Sequence, residues 1–356
     1  MRELTPEDDE PVDRSAVERL GGTVPTIYDV ASAAGVSKSV VSRALSGAPG
    51  VAARTVTKVT AAAEAIGYVA NANARGMSAR RTHTLGVFVR DAATPFYGHL
   101  LTAFQEQASA RGYRAVTATG SGSFSIEEER RALETLVSLR VEGLIVCSGA
   151  LPVSDIIPFA RRIPTVIAGR PEEDPGVSSV YCDELGGGRG LAEHITRLGH
   201  RRVAVMTHTV ASSITQAART EAMVRSLRDA GVDVLAFRCE EFDINVENTD
   251  AIVQAILDAG GVTAVMASSD SWAVSVLESL RRRGLSAPQN MSVTGYDGVR
   301  PLTTSLLGLT SWHQPLKLIG RLSVDDVVDQ IDGLSRGARH RSISGELIAG
   351  RTAAAV

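Results

Sequence analysis

Residues 38–45 place their polar and apolar side chains on opposite faces of one helix. With successive residues about 100° apart, the apolar face is formed by Val40, Val41, Ala44 and Leu45, and the polar face by Lys38, Ser39, Ser42 and Arg43. A shorter helix is predicted before it, where Thr26 and Asp29 have the spacing of an N-terminal capping box. Gly35 permits a tight turn between the two helices, and Ser37 is a suitable N-cap for the second.

Two short helices joined by a glycine-containing turn are the pattern of a helix-turn-helix, whose second helix enters the major groove of DNA. Residues 25–84 carry seven Lys and Arg side chains against two acidic ones, a net charge of +5, while the whole chain carries −3. A basic unit on an acidic chain suits a phosphate-backbone ligand. The two helices alone leave one alternative open, a helical hairpin whose polar face is only solvated.

From Leu85 onward, short apolar runs alternate with amphipathic segments. The runs read LGVFV, GLIVCS, PTVIAG, RRVAVMT, TAVMASS and MSVTGYD, and segments such as EEERRALETLVSLR and GLAEHITRLGH separate them. This order predicts βαβ units in parallel, doubly wound sheets, and the chain is long enough for two such lobes. Ligands of these folds bind beyond the carboxyl ends of the strands, so the expected pocket is a cleft between the lobes.

Three segments resemble a known family: TIYDVASAAGVSKSVVSRALSG, AAAEAIGYVANANARGMSAR and GVFVRDAATPFYGHLL. In order and spacing they resemble the lactose-repressor/galactose-repressor family of bacterial transcription regulators, and the likeness extends over about residues 25–350. It implies an all-α helix-turn-helix headpiece with a hinge helix, followed by a two-lobed α/β core like that of periplasmic binding proteins. It also sets aside the solvated-hairpin alternative.

Composition, periodicity and the resemblance together predict a division of the chain into four parts. These are a disordered acidic tail (1–24), a DNA-binding headpiece (25–70), a hinge (71–84) and an effector-binding and dimerisation core (85–356). The core chain is expected to cross between its lobes three times, near residues 184, 313 and 340. Lobe 1 then comprises about 85–183 and 314–339, and lobe 2 about 184–313 and 340–356.

The candidates for base contacts in the major groove are Lys38, Ser39, Ser42 and Arg43. Arg and Lys can donate hydrogen bonds to guanine O6 and N7. By resemblance, Lys38, Ser39 and Arg43 occupy the base-reading positions of the family, whereas a solvated side chain is an equal alternative for Ser42.

Further DNA contacts are implied by the resemblance alone. Contacts to the DNA backbone are assigned to Thr26, Ser37, Thr55, Tyr68 and Asn71. In the hinge, Met77 stands where the family places the apolar side chain that wedges into the minor groove. Ala70 and Gly76 depart from the family pattern, and a glycine inside a helix costs up to about 1 kcal/mol. A weakly helical hinge is therefore expected without DNA.

In the cleft, the resemblance implies effector contacts by Phe96, Tyr97, Arg219, Phe242 and Asp270. Aromatic surface with an Arg and an Asp suits a small polyhydroxylated or heterocyclic ligand, such as a sugar. Phe96 and Phe242 could equally be core residues, whereas Arg219 and Asp270 need partners if they are buried. Ser269, Gly298 and the pair Ala222–Met223 depart from the family pattern, so no particular ligand is indicated.

Catalytic and metal-binding motifs are not found. GGGRG at 186–190 lacks the Lys-Ser/Thr that ends a phosphate loop and is predicted to open a helix. Neither GxSxG nor HExxH occurs, and His194 and His200 are spaced poorly for chelation from one helical face. An enzyme, a cofactor or a metal site is therefore not expected. The three cysteines, Cys147, Cys182 and Cys239, are expected to be buried core residues, since they are isolated and odd in number.

The expected function is a repressor that binds a palindromic operator as a homodimer and responds to a small-molecule effector. A dimer is favoured over a zipper-built tetramer because the C-terminus lacks a leucine heptad. No run of about 18 apolar residues occurs, and acidic residues 7–10 stand where a signal peptide would be basic, so a cytoplasmic protein is expected. The main alternative is a solute-binding protein for transport, which would need a signal peptide and no basic headpiece. An architectural DNA-bending protein would not need the large core.

Overall fold

The computed structural model describes residues 24–69, 81–120, 125–239, 246–335 and 337–356. The chain divides into two compact units between Thr82 and His83. The predictions about residues 1–23, about the hinge with Asn71 and Met77, and about Phe242 lie outside the described residues.

Helices α1 (Ile27–Ala33), α2 (Lys38–Leu45) and α3 (Ala53–Ala65) form the first unit. Gly35 adopts a φ of 58° in the turn between α1 and α2. The Asp29 carboxylate accepts hydrogen bonds from the backbone N–H and the hydroxyl of Thr26, each at 2.7 Å. Ser37 Oγ accepts a hydrogen bond from the N–H of Val40. The N-termini of both predicted helices are therefore stabilised by hydrogen bonds that involve their N-cap residues, Thr26 and Ser37.

The faces of α2 follow the predicted division. Val41 is fully buried and packs with Val30 of α1 and Val59 of α3 in a small apolar core. The polar residues Lys38, Ser39, Ser42 and Arg43 are all exposed. Packing of one face against α1 and α3 therefore leaves the other as the outer surface of the unit.

The second unit alternates strands and helices. Its strands are β1 (Thr84–Val89), β2 (Arg114–Thr119), β3 (Gly143–Cys147), β4 (Thr165–Ala168), β5 (Ser178–Cys182), β6 (Arg202–Thr207), β7 (Asp233–Arg238), β8 (Ala264–Met266), β9 (Ser292–Asp297), β10 (Thr310–His313), β11 (His340–Ile343) and β12 (Glu346–Ile348). Its helices are α4 (Pro95–Ala110), α5 (Ile126–Ser138), α6 (Val153–Ala160), α7 (Glu184–Arg197), α8 (Ile214–Asp229), α9 (Val246–Asp258), α10 (Asp270–Arg282) and α11 (Leu316–Ile331).

Among the described residues, these strands form two six-stranded sheets, one for each lobe. The first sheet has the order β11-β5-β4-β3-β1-β2, and the second has the order β12-β10-β9-β8-β6-β7. Every neighbouring pair is parallel except β10 and β12, which run antiparallel. The predicted two-lobed, doubly wound α/β core is confirmed.

The chain passes between the lobes at three places. It leaves the first sheet after β5 and enters α7, which packs on α8, and it returns after β10 into α11, which packs on β3, β4 and β5. The third crossing was expected near residue 340, but β11 still pairs with β5 in the first sheet, His340 opposite Ser179. After α11 the chain forms β11 along the edge of β5 in the first sheet, and it next forms β12 in the second sheet. This crossing therefore lies between Ile343 and Glu346. Residues 340–343 belong to lobe 1.

The glycine-rich segment GGGRG lies inside α7, which begins at Glu184 with Asp183 as its N-cap. A side chain at Gly188 would stand 2.3 Å from the backbone oxygen of Arg219 on α8. At Gly187 it would stand 2.0 Å from the hydroxyl of Tyr296. The glycines therefore permit close approach of α7 to its neighbours, a role unrelated to phosphate binding.

The three cysteines are free thiols and buried, as predicted. Among the described residues, no helix has the length and the apolar composition needed to cross a membrane.

Candidate functional site

The exposed face of α2 is the first candidate site. Lys38 Nζ lies 3.2 Å from the hydroxyl of Tyr28 and 4.9 Å from the centre of its ring. The Lys38 ammonium therefore donates a hydrogen bond to Tyr28 and makes a cation–π contact with its ring. Arg43 Nε donates to the backbone oxygen of Ser39 at 3.4 Å. Both cationic heads therefore stand on the polar face of α2. Tyr28, whose side chain is 64 % exposed, was not among the predicted contacts.

Four of the five predicted backbone-contact residues are described in this unit, and Asn71 is not. Thr26 and Ser37 stand at the N-termini of α1 and α2, where N–H groups and the helix dipole favour a phosphate. Thr55 lies in the first turn of α3 and is half-buried, and Tyr68 packs against the core of the unit. Residues 24–69 carry four Lys and Arg side chains and two acidic ones. The described part of the headpiece is therefore net positive.

The second candidate site is the cleft between the carboxyl ends of the two sheets. It encloses about 90 Å³. Its lining from lobe 1 consists of Arg90, Asp91, Thr94, Phe96 and Tyr97. Its lining from lobe 2 consists of His208, Ser213, Thr215, Gln216, Arg219, Ser269, Ser271, Trp272 and Asp297. Parallel sheets bind ligands at this edge, which makes the cleft the expected effector site.

A larger groove of about 660 Å³ lies elsewhere, between α4 and the start of α11. His99, Val299 and Leu316 are among its lining residues. Gly298 and His313, at the carboxyl ends of β9 and β10, also line this groove. However, Phe96, Tyr97 and Arg219, the effector contacts implied by the resemblance, line the smaller cleft and not this groove.

Arg219 borders the cleft, but its guanidinium is already hydrogen-bonded to other side chains of the protein. Its Nε and Nη2 donate to the two oxygens of Glu184 at 2.8 and 2.9 Å, and its Nη1 donates to Asp297 Oδ1 at 3.2 Å. The guanidinium also lies 4.0 Å from the ring centre of Tyr296. Burial raises the pKa of Glu184 to about 7, although the charge of Arg219 opposes this shift. Arg219 thus holds together α7, α8 and the end of β9.

Asp270 was expected to face the ligand, and the structure places its carboxylate differently. Asp270 is the first residue of α10 and is 1 % exposed. Its Oδ2 accepts a hydrogen bond from the N–H of Val299 at 2.9 Å, and its Oδ1 accepts one from Ser311 Oγ at 2.5 Å. The carboxylate therefore holds the loop after β9, and Asp297 presents a carboxylate to the cleft instead.

The buried position of Asp270 leads to a pH prediction. Burial and the nearby charge of Asp297 raise the pKa of Asp270 to about 8. The folded chain therefore retains a proton that the unfolded chain releases near pH 4, so this group costs stability as the pH rises from about 4 to about 8, by the order of 1 kcal/mol per pH unit. We expect Asp270→Asn, which cannot ionise, to lose less stability than the wild type between pH 5 and pH 8.

The measurement is the urea unfolding free energy of both proteins across this pH range, with Asp229→Asn, at an exposed position on α8, as the control. Titrating groups other than Asp297, whose charge acts on Asp270, keep their surroundings in all three proteins and cancel in the comparison. Parallel pH profiles for Asp270→Asn and the wild type would show that Asp270 is ionised throughout.

A buried ion pair lies on the lobe 1 side of the cleft, and its arginine also reaches lobe 2. Arg90 Nε lies 3.0 Å from Glu129 Oε1, and both side chains are at most 4 % exposed. Ser148 Oγ donates to Glu129 at 2.6 Å, and Arg90 Nη1 donates across the cleft to the backbone oxygen of Ser212 at 3.4 Å. Burial raises the pKa of Glu129. Arg90 directly follows β1, and this position at a strand end was the one signal that could have identified it.

Aromatic rings supply the apolar surface of the cleft. Phe96 and Tyr97 form an edge-to-face pair with ring centres 5.1 Å apart. On the opposite side, Trp272 lies beside His208, with ring centres 6.1 Å apart. Burial raises the pKa of Tyr97 well above its usual range, so its hydroxyl stays protonated. The resemblance pointed to Phe96 and Tyr97, but not to His208 or Trp272.

Both units of the chain match models of known protein families. The family model for the periplasmic binding proteins and sugar binding domain of the LacI family matches residues 82–349. The model for bacterial regulatory proteins of the lacI family matches residues 26–71. The transcriptional regulator CelR of Thermobifida fusca is 32 % identical over 320 residues, which cover 87 % of this chain and 92 % of that protein.

Two solved structures extend the likeness to three dimensions. A lac repressor dimer bound to operator and an anti-inducer is 25 % identical, with a TM-score of 0.78, and the match covers 94 % of this chain and 100 % of that one. A complex of CelR with cellobiose is 28 % identical, with a TM-score of 0.66, over 92 % of this chain and 99 % of that one.

The family matches decide between a transcription regulator and a solute-binding protein for transport. They include a DNA-binding domain in addition to the core, which a transport protein would not carry. Since the family consists of regulatory proteins, the prediction that the chain is not an enzyme is also confirmed. The chain belongs to the LacI family of bacterial regulatory proteins.

Proposed function

We propose that the chain is a transcription repressor whose affinity for an operator is controlled by a sugar or sugar-like effector in the cleft. The observation that carries the DNA-binding part is the exposed face of α2, which presents Lys38 and Arg43 on a packed helix-turn-helix. Such a helix enters the major groove, where both side chains can reach guanine O6 and N7. Ser39 and Ser42 lie between them on this face. A regulator bound to the chromosome acts in the cytoplasm.

The operator is proposed to be palindromic, and the chain to bind it as a homodimer. A related repressor was solved as a dimer on its operator. Two headpieces would occupy successive major grooves about 10 to 10.5 bp apart. The hydroxyls of Thr26, Ser37, Thr55 and Tyr68 and the Asn71 amide are the proposed phosphate contacts, and Met77 the proposed minor-groove wedge.

The proposed effector is a small polyhydroxylated molecule. The cleft combines the faces of Phe96, Tyr97 and Trp272 with hydroxyl, amide and charged groups, the mixture that recognises sugars. CelR was solved with cellobiose. The enclosed volume of about 90 Å³ is smaller than the roughly 150 Å³ that binds benzene in an engineered cavity. A sugar ring would therefore enter only when the lobes move apart, which links occupancy of the cleft to the lobe arrangement. By linkage, effector and operator alter each other's affinity by the same factor.

The test of base reading is Arg43→Ala. Operator fragments are first selected from sheared genomic DNA with the purified full chain, and binding to the selected site and to random DNA is then measured at several salt concentrations. We expect Arg43→Ala to weaken operator binding by about 1 to 3 kcal/mol and to relax the sequence preference at one position, with little loss on random DNA.

Arg54→Ala, on α3, is the matched control, because it removes the same positive charge at a position that is not a predicted base contact. Any loss of affinity should therefore be equal on operator and random DNA, and the salt slope should fall by at most about 1. If Arg43→Ala discriminates between operator and random DNA as well as the wild type does, then Arg43 does not read a base.

A further inference from the structure

The hydroxyl of Ser268 joins two cleft residues that the sequence did not single out. Ser268 is fully buried, two residues after the end of β8. Its Oγ lies 2.7 Å from Gln216 Oε1 and 2.8 Å from His208 Nε2. His208 and Gln216 both line the cleft, so a single buried oxygen connects two cleft-lining residues.

The number of protons available to the three hydrogen-bonded side chains, His208, Ser268 and Gln216, decides which of them donate. A serine hydroxyl carries one proton, and Ser268 gives it to the amide oxygen of Gln216. Ser268 Oγ therefore accepts from His208, so the imidazole carries its proton on Nε2 and a lone pair on Nδ1. Burial, aided by the charge of Arg219, lowers the pKa of His208 to about 4. The ring is therefore neutral at pH 7.

Two hydrogen-bonding groups of these cleft-lining residues are left without a partner among the described residues. His208 Nδ1 is buried and has no hydrogen-bond partner among the described residues. Gln216 uses its amide oxygen for Ser268, and among the same residues its amide nitrogen donates to none. A buried acceptor without a donor costs free energy until a partner reaches it. The open pair is thus one acceptor and one donor.

We propose that His208 Nδ1 and Gln216 Nε2 together recognise one hydroxyl group of the ligand. A hydroxyl both donates and accepts, so it can give its proton to His208 and receive one from Gln216. An ammonium would satisfy only the histidine, and a carboxylate only the glutamine. Trp272, beside His208, provides the apolar face on which the sugar ring lies. This inference rests on the proposed function, because it names the group that the cleft selects.

The proton arrangement is tested without any ligand. The full chain is labelled with ¹⁵N at histidine only, and His208→Phe identifies the His208 resonances by their loss. We expect the neutral Nε2–H tautomer at pH 7. In Gln216→Met, the Ser268 hydroxyl is free to donate to the imidazole, so the Nδ1–H fraction should rise. A protonated ring or an Nδ1–H majority in the wild type would overturn the inference, as would a tautomer ratio unchanged in Gln216→Met.

The ligand half is tested with cellobiose, D-glucose and D-ribose, each titrated into the full chain by calorimetry. For a sugar that binds, we expect the His208 Nδ1 resonance to shift and His208→Phe and Gln216→Met each to weaken binding at least tenfold. His194→Gln, in α7 away from the cleft lining, is the control and should bind as the wild type does.

The outcomes separate the two proposals. If His208→Phe binds the sugar as tightly as the wild type, then the hydroxyl pair is wrong while a sugar-responsive repressor stands. If none of the three sugars binds the wild type, then both the hydroxyl assignment and the sugar effector are overturned, and operator binding is unaffected.

Discussion

Arg219→Met is expected to lower the free energy of unfolding by about 3 to 5 kcal/mol, because it leaves buried carboxylates without their counter-ion. Glu184 receives two hydrogen bonds from Arg219, and Asp297 receives one. The Arg219 and Glu184 side chains are 3 % and 2 % exposed, so water does not replace the lost contacts. Methionine retains most of the side-chain length and avoids a large cavity, so the effect reports the charge.

Urea unfolding of the full chain measures this loss. Arg225→Met, on the same helix, is the control, because the pair Arg225–Glu221 is about 70 % exposed and such pairs contribute little. The double variant Glu184→Gln/Arg219→Met removes one of the two stranded charges and should recover part of the loss. A loss below about 1 kcal/mol for Arg219→Met would mean that the carboxylates take up protons at little cost.

This expectation affects how effector binding is tested. An Arg219 variant would weaken effector binding through the fold even if the guanidinium never touched the ligand. Variants of His208 and Gln216 report on the cleft more directly, because each has a single side-chain partner among the described residues, the hydroxyl of Ser268.

Gly188→Val is expected to destabilise the core by about 3 kcal/mol or more, because overpacking forces backbones apart. The first atom of any side chain at Gly188 would lie 2.3 Å from the backbone oxygen of Arg219 and 2.9 Å from Ala222 Cβ. A backbone atom cannot turn aside as a flexible side chain can. Separating α7 from α8 would also pull Glu184 from Arg219, so the steric and electrostatic losses would add.

Gly98→Ala is the matched control for this substitution. Gly98 also lies inside a helix, α4, but a Cβ there meets no atom within 4 Å. Removing the backbone freedom of a helical glycine should therefore stabilise the chain by about 0.5 to 1 kcal/mol. Both variants are compared by thermal and urea unfolding. If Gly188→Val is as stable as the wild type, then α7 and α8 are not in the close contact described here.

Features that depend on neighbouring residues were predictable. The two faces of α2 follow from the helical repeat, and the capping box at Thr26 follows from a spacing of three residues. The alternation of apolar runs and amphipathic segments was enough to predict two parallel sheets. The resemblance also predicted that Phe96, Tyr97 and Arg219 lie at the cleft, and all three line it.

Features that depend on distant residues were not predictable. The partners of Arg219 are 35 and 78 positions away, and Ser268 meets residues 52 and 60 positions away. Asp270 has the right residue type for a ligand contact, yet its carboxylate turns to Val299 and Ser311.

The sequence by itself therefore determined the helix-turn-helix, the exposed polar face of its second helix, the two-lobed core and the cleft between strand ends. The reason is that periodicity and strand order act locally or through the general rules of sheet topology. Only the tertiary structure decided which polar groups remain open to a ligand, why α7 needs its glycines and where the chain makes its third crossing. Each of these depends on which distant atoms come within a few ångströms of one another, and no local pattern contains that information.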